Sequence, residues 1–203
     1  MHQPFPRVTS RDLAMIATFA GLVAALGVVP AVYPIGIPVP VTAQTLGVML
    51  AGAVIGRWRG AAALLLLLGL VAVGLPVLAG GRGGLGVFAG PSVGYVVGFP
   101  VAAWVIGWLT EKVGAPYRLG WGLVANLTGG IVVLYAIGIL GTAWRAHLSL
   151  EAAAVSAGWY LVGDVAKAVV AALVARGVHA AYPGLLRPHS ATVPVHCGES
   201  AAV

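Results

Sequence analysis

Leu119-Gly-Trp-Gly-Leu-Val-Ala-Asn-Leu-Thr-Gly-Gly-Ile-Val-Val-Leu-Tyr-Ala-Ile-Gly-Ile-Leu-Gly-Thr-Ala-Trp144 runs from Arg118 to Arg145 without one charged side chain. A helix needs roughly 20 such residues to cross the hydrocarbon of a bilayer, so this stretch is long enough to span one. The rest of the chain has the same character. Of its 203 residues 60% are hydrophobic and 8% charged, a ratio that would leave large apolar patches facing water in a soluble domain. Lipid is therefore the expected solvent for most of the surface. The 30 Gly and 13 Pro are compatible with that, since membrane helices tolerate both where neighbours pack closely.

Further apolar runs lie at 13–30, 61–78, 90–110 and 152–176, with a shorter one at 41–56 bounded by Pro38, Pro40, Arg57 and Arg59. With 119–144 they predict an all-α integral membrane bundle of six transmembrane helices. If both termini are cytoplasmic, Arg7, Arg11, Arg57, Arg59, Lys112, Arg118, Arg176 and Arg187 fall inside and only Arg82 and Arg145 outside, the bias that the positive-inside rule requires. The run behind Arg7 and Arg11 starts like a signal peptide, but more spans follow and no convincing cleavage site does, so it is taken as the first span. Residues 1–182 are expected to form a single membrane domain, and 183–203, which lack periodicity, a disordered tail.

This topology places three connections outside. Ala31-Val-Tyr-Pro-Ile-Gly-Ile-Pro-Val-Pro-Val41 is apolar and Pro-rich, which predicts a segment folded back over the bundle. Gly80-Gly-Arg-Gly-Gly-Leu-Gly-Val-Phe-Ala-Gly-Pro91 has a glycine content that lets backbone approach a ligand. Together they predict a lid over an outward-facing pocket.

Asp164 and Lys167 are ionisable residues inside the last span, where a charge costs several kcal/mol and usually faces a cavity or a partner. Their spacing puts them on one helix face. They form either a self-neutralising pair or a ligand site, and a hydrophobic pair would pack as well without the desolvation penalty. Arg82, the one charge of the Gly-rich connection, suits a bidentate contact to an anion or a simple interfacial position. Gln44 and Thr45 open the second run, either turned into the pocket or capping the helix. Tyr95 is placed as a ligand neighbour and Asn126 as an interhelical hydrogen bonder. Trp104, Trp108, Trp121 and Trp144 fit an aromatic belt. On the first helix Ala17, Gly21 and Ala25, with Ala20 and Ala24 beside them, recur at the small-residue spacing that lets another helix approach, whether from this chain or from a separate membrane subunit.

Several chemistries are excluded. The net charge of +6 comes from scattered residues, not from a basic cluster of the kind nucleic acid needs. Cys197 is the single cysteine, and no metal-site motif is present, so no disulfide, thiolate site or metal is expected. Gly81-Arg-Gly-Gly-Leu-Gly86 matches a dinucleotide fingerprint but has no strand before it and no acid at the required distance. Gly90-Pro-Ser92-Val-Gly94 matches a nucleophile elbow, and Ser92, Asp164 and His179 follow in hydrolase order. The topology puts Ser92 and His179 at opposite ends of the bundle, about 30 Å apart, where a base within about 3 Å is needed. No catalytic residue is expected. Lys112 and Lys167 are the only lysines and neither lies in a phosphate-binding loop, so the chain has no common means of hydrolysing ATP.

Three motifs in order, Ala43-Gln-Thr-Leu-Gly-Val-Met-Leu-Ala-Gly52, Gly80-Gly-Arg-Gly-Gly-Leu-Gly-Val-Phe-Ala-Gly-Pro-Ser-Val-Gly-Tyr-Val-Val-Gly-Phe99 and Gly163-Asp-Val-Ala-Lys-Ala168, resemble the BioY family, the biotin-specific substrate-binding components of energy-coupling factor transporters. The similarity covers residues 11–180. It departs at Ser92-Val93, where Thr-Gly is expected in many relatives. The resemblance implies biotin uptake across a bacterial cytoplasmic membrane, with a site near the outer surface formed by Gln44, Thr45, Arg82, Gly83, Gly84, Tyr95, Asp164 and Lys167. It also implies partners: a transmembrane coupling protein docked on the small residues of the first helix, and two ATP-binding-cassette ATPases that use the ATP. No cofactor is expected in this chain. Another vitamin as ligand, and an intramembrane serine hydrolase, are the alternatives.

Overall fold

Each apolar run is punctuated by residues that start or stop a helix. In the computed structural model, which describes residues 9–31 and 39–185, α1 (Ser10–Val28) opens with a reciprocal capping box. Thr9 Oγ1 accepts from the Asp12 N–H at 3.2 Å, and Asp12 Oδ2 accepts from the Thr9 N–H at 2.9 Å. Pro30 follows its end. α2 (Gln44–Ile55) and α3 (Arg57–Ala72) are joined by Gly56 alone, at φ +82°, a left-handed conformation that glycine adopts without strain. Gly74 and Pro76 lie just past the end of α3. After a 3₁₀ turn (Leu85–Ala89) comes α4 (Val93–Val113), with Pro100 inside it. α5 (Leu119–Leu127), a π-helical turn (Thr128–Val133) and α6 (Leu134–Ala146) run on as one helix. α7 (Leu150–Ala181), capped by Ser149 Oγ on the Ala152 N–H at 3.2 Å, closes the bundle.

Among the described residues there is no strand, and Leu78 and Arg82 form an isolated bridge, so the architecture is all-α. Among the same described residues three helices are long and apolar enough to cross a membrane, Ser10–Val28, Val93–Val113 and Leu119–Ala146, and Gln44–Ile55 is a shorter apolar one. α4 sits centrally against α2, α3 and α6. Its Gly94 is so close to α6 that a Cβ would lie 2.5 Å from Ile137 O, so only glycine allows that approach. Polar side chains point inward, with Asn126, Thr142 and Asp164 buried, while Val28, Leu140 and Val162 are exposed. That inversion is the one a lipid solvent favours. Asn126 reaches Ala168 O of α7 at a long 3.4 Å, the interhelical role expected of it.

The structure moves several expected boundaries. The run expected at 61–78 is a helix from Arg57 to Ala72. Arg57 and Arg59, expected to end α2, open α3 instead. Cations at a helix N-terminus are unfavourable, and two acids offset them: Glu111 of α4, 3.1 Å from Arg57 Nε, and Asp12 of α1, 2.6 Å from Arg59 Nε. α7 continues to Ala181 because His179 is still buried there, bonded to Ala53 O at 2.9 Å. Pro183–Leu185 then form a 3₁₀ turn that packs Leu185 on the core. The rest of the expected tail, Cys197 included, lies outside the described residues, as does most of the 31–41 connection.

The small residues of α1 divide. Ala17, Gly21 and Ala25 are exposed, whereas Ala20 is buried in the core and Ala24 is half-buried against it. At about 100° per residue the two rows lie side by side on the helix, but Ala20 is covered by this chain's own core. Ala20 therefore drops out of the expected docking set.

Candidate ligand-binding site

The helical period places Tyr160, Asp164 and Lys167 on one face of α7. Asp164 is 2% exposed and its carboxylate is fully engaged. Oδ1 accepts from Thr45 Oγ1 and from Lys167 Nζ, both at 2.8 Å, and Oδ2 accepts from the Tyr135 hydroxyl at 2.8 Å. Lys167 Nζ also donates to Thr42 O at 2.6 Å and to Thr45 Oγ1 at 3.0 Å. The pair is thus self-neutralising, and it also lines a cavity. Beside it the rings of Tyr95, Tyr135 and Tyr160 pack edge to face, with centroids 6.0–6.5 Å apart, an arrangement aromatic quadrupoles favour. Tyr160 donates to Val39 O at 2.6 Å, so α7 holds both ends of the 39–42 segment.

The cavity has a volume of about 50 Å³. It is a narrow slot. Gln44, Thr45, Arg82, Tyr95, Asp164 and Lys167 line it, as do Ser92, Phe99 and Tyr160. Arg82 shares no hydrogen bond with the carboxylate cluster: its Nε donates to Ala79 O at 3.1 Å and its Nη1 to Ser92 Oγ at 2.9 Å. The Gly-rich connection is tied down by its own backbone. Leu78 and Arg82 exchange both backbone hydrogen bonds, at 3.0 and 3.1 Å, and the Gly84 N–H bonds Val71 O at 2.7 Å.

Of the residues expected at the site, Gly83 and Gly84 are not brought to it. Their backbone closes onto the end of α3, where a Cβ on Gly83 would collide with Leu75 O. Gln44 lines the cavity, yet both amide protons go to backbone oxygens, of Val23 at 3.3 Å and Val77 at 3.1 Å. Tyr135, Tyr160 and the Thr42 carbonyl were missed. Tyr160 had a signal, four residues before Asp164 on the same face. Tyr135 and Thr42 had none, because each meets α7 only through tertiary packing.

The hydrolase arrangement is not assembled. Ser92 Oγ accepts from Arg82, His179 Nε2 is bonded to Ala53 O, and Asp164 to Thr45, Lys167 and Tyr135. None of these three residues bonds another.

Comparison with known proteins gives a consistent result. The model of the BioY family matches residues 1–184. The Biotin transporter BioY of Rhodobacter capsulatus is 49% identical over 187 residues, covering 87% of this chain and 97% of that protein. Its namesake in Rhizobium etli is 48% identical over 182 residues, covering 87% and 97%. A solved S-component for biotin from an ECF-type ABC transporter superposes with a TM-score of 0.80 at 27% identity, covering 84% of this chain and 91% of that one. The chain, with its six apolar runs and an Asp–Lys pair beside an aromatic cavity, belongs to the BioY family.

Proposed function

We propose that this chain captures biotin at the outer face of a bacterial cytoplasmic membrane, as the substrate-specific component of an energy-coupling factor transporter. The Asp164–Lys167–Thr45 cluster, opening onto a tyrosine-flanked cavity in a BioY-family chain, carries this reading. Biotin offers a ureido ring with two N–H donors and a carbonyl acceptor, an apolar thioether ring, and a carboxylate on a flexible tail. Asp164 accepts from a ureido N–H in exchange for one of its internal donors. Lys167 turns from Thr42 O to the ureido carbonyl, the tyrosine rings flank the thioether ring, and Arg82 meets the carboxylate through Nη2. Buried polar groups left unpaired are costly, so analogues lacking the ureido group are rejected more strongly than apolar variants. Because the slot is narrow and the 39–42 segment is tied to Tyr160 and Lys167, that segment shifts when the ligand seats.

In the same proposal six segments cross the membrane, counting α5 to α6 as one, with both termini cytoplasmic. The outer row Ala17, Gly21 and Ala25 docks a transmembrane coupling protein, with Ala24 at its edge. ATP is used by two partner ATPases, since neither lysine lies in a phosphate-binding loop. Calorimetry with a panel of small vitamins tests the ligand: biotin binds the purified chain, and Asp164→Asn weakens it by about tenfold or more. Tighter binding of a different vitamin overturns the assignment.

A further inference from the structure

The carboxamide of Gln44 joins three segments that are remote in the chain. Nε2 donates to Val23 O on α1 at 3.3 Å and to Val77 O at 3.1 Å, while Oε1 accepts from the Ala79 N–H at 2.9 Å. Gln44 is 2% exposed and Ala79 is fully buried. With both donors engaged, the amide has none to offer a ligand. What it does hold is the backbone that carries Arg82. Arg82 Nε returns to Ala79 O, and Arg82 pairs with Leu78 through two backbone hydrogen bonds. The guanidinium is thus located by the Ala79 turn, and that turn by Gln44. α1 presses against the same point, since a Cβ on Gly27 would lie 2.5 Å from Val77 O and 2.9 Å from Gln44 Nε2.

We infer that Gln44 is a positioning residue that fixes the Arg82 end of the cavity against α1, and so sets the preference for an anionic ligand tail without touching the ligand. This rests on the reading that Arg82 meets the biotin carboxylate. A buried donor that loses its acceptor must move to find another, so removing the amide frees the Ala79 turn and with it the guanidinium. The Asp164–Lys167 cluster shares no hydrogen bond with this tie and is left in place.

The test compares biotin with its primary amide, which keeps the ureido head and loses the charge, on the full chain in lipid nanodiscs. Gln44→Leu lowers the preference for biotin over the amide by about tenfold through weaker binding of biotin alone. Gly27→Ala, which wedges the same junction and serves where Gln44→Leu does not fold, has the same signature. Effects of the two changes are less than additive in the double variant. Hydrogen exchange at the Ala79 amide accelerates in both. Equal weakening of both ligands, or an unchanged preference in Gln44→Leu and Gly27→Ala while Arg82→Gln loses it, overturns the positioning role and leaves the site assignment standing. An unchanged preference in Arg82→Gln overturns the carboxylate assignment itself, and the inference with it.

Discussion

The two ends of the cavity are built by different means. At one end Tyr160, Asp164 and Lys167 stand on a single helix, so the helical period alone sets their spacing. At the other Arg82 stands in a connection without helical support, and its place depends on a chain of hydrogen bonds through Ala79, Gln44 and Val23. The helix-borne end stays in register when one partner is lost, whereas the loop-borne end has no helix to hold it. A rigid, neutral head that needs fixed donors and acceptors suits the first. A flexible tail suits the second.

The largest effect is expected at the helix-borne end. Asp164→Ala takes the counter-charge from the ammonium of Lys167, which is 18% exposed, so the loss stays below the roughly 3–5 kcal/mol of a fully buried pair. Biotin binding falls below detection by calorimetry and the melting temperature drops. Lys167→Ala weakens binding by about tenfold or more, because Asp164 keeps the hydroxyls of Thr45 and Tyr135. Arg82→Gln comes next, with a loss of about tenfold for biotin and little change for its amide, by the same measurement. Tyr135→Phe removes one hydrogen bond to a carboxylate, worth about 1.5–3 kcal/mol at most, and part of that is recovered if water enters. A loss of several-fold in affinity with the fold retained is expected, read by titration and circular dichroism.

The smallest effect on binding is expected far from either end, on the outer row of α1. Gly21→Leu leaves biotin affinity unchanged but stops co-purification with a coupling module, since no atom lies within 4 Å of a Cβ placed there. Ala20→Leu behaves differently, overpacking the core at a cost of about 1–3 kcal/mol and lowering thermal stability first. Equal co-purification of wild type and Gly21→Leu would place the docking face elsewhere.

Much of this was legible in the residues. The run 119–144 is helical almost to the residue, from Leu119 to Ala146, because an uninterrupted apolar stretch leaves the backbone no other way to satisfy itself in lipid. Asp164 and Lys167 were legible because a charge in such a run is expensive enough to demand a purpose. The limits of α3 were not. Arg57 and Arg59 resemble terminators until Asp12 and Glu111, from two other helices, are seen to neutralise them. Gln44 was expected at the ligand from its polarity and the family resemblance, and its backbone partners lie on segments that no local pattern links to it.

Composition and periodicity were therefore enough to state the solvent, the helical class, the polar pair and its shared face, since each is a property of one segment and its neighbours within a turn or two. Which row of α1 faces out, which tyrosine reaches Asp164 and what holds Arg82 were decided only when helices distant in the chain packed together. Burial and hydrogen bonding between segments depend on relative position and rotation, which no single segment encodes.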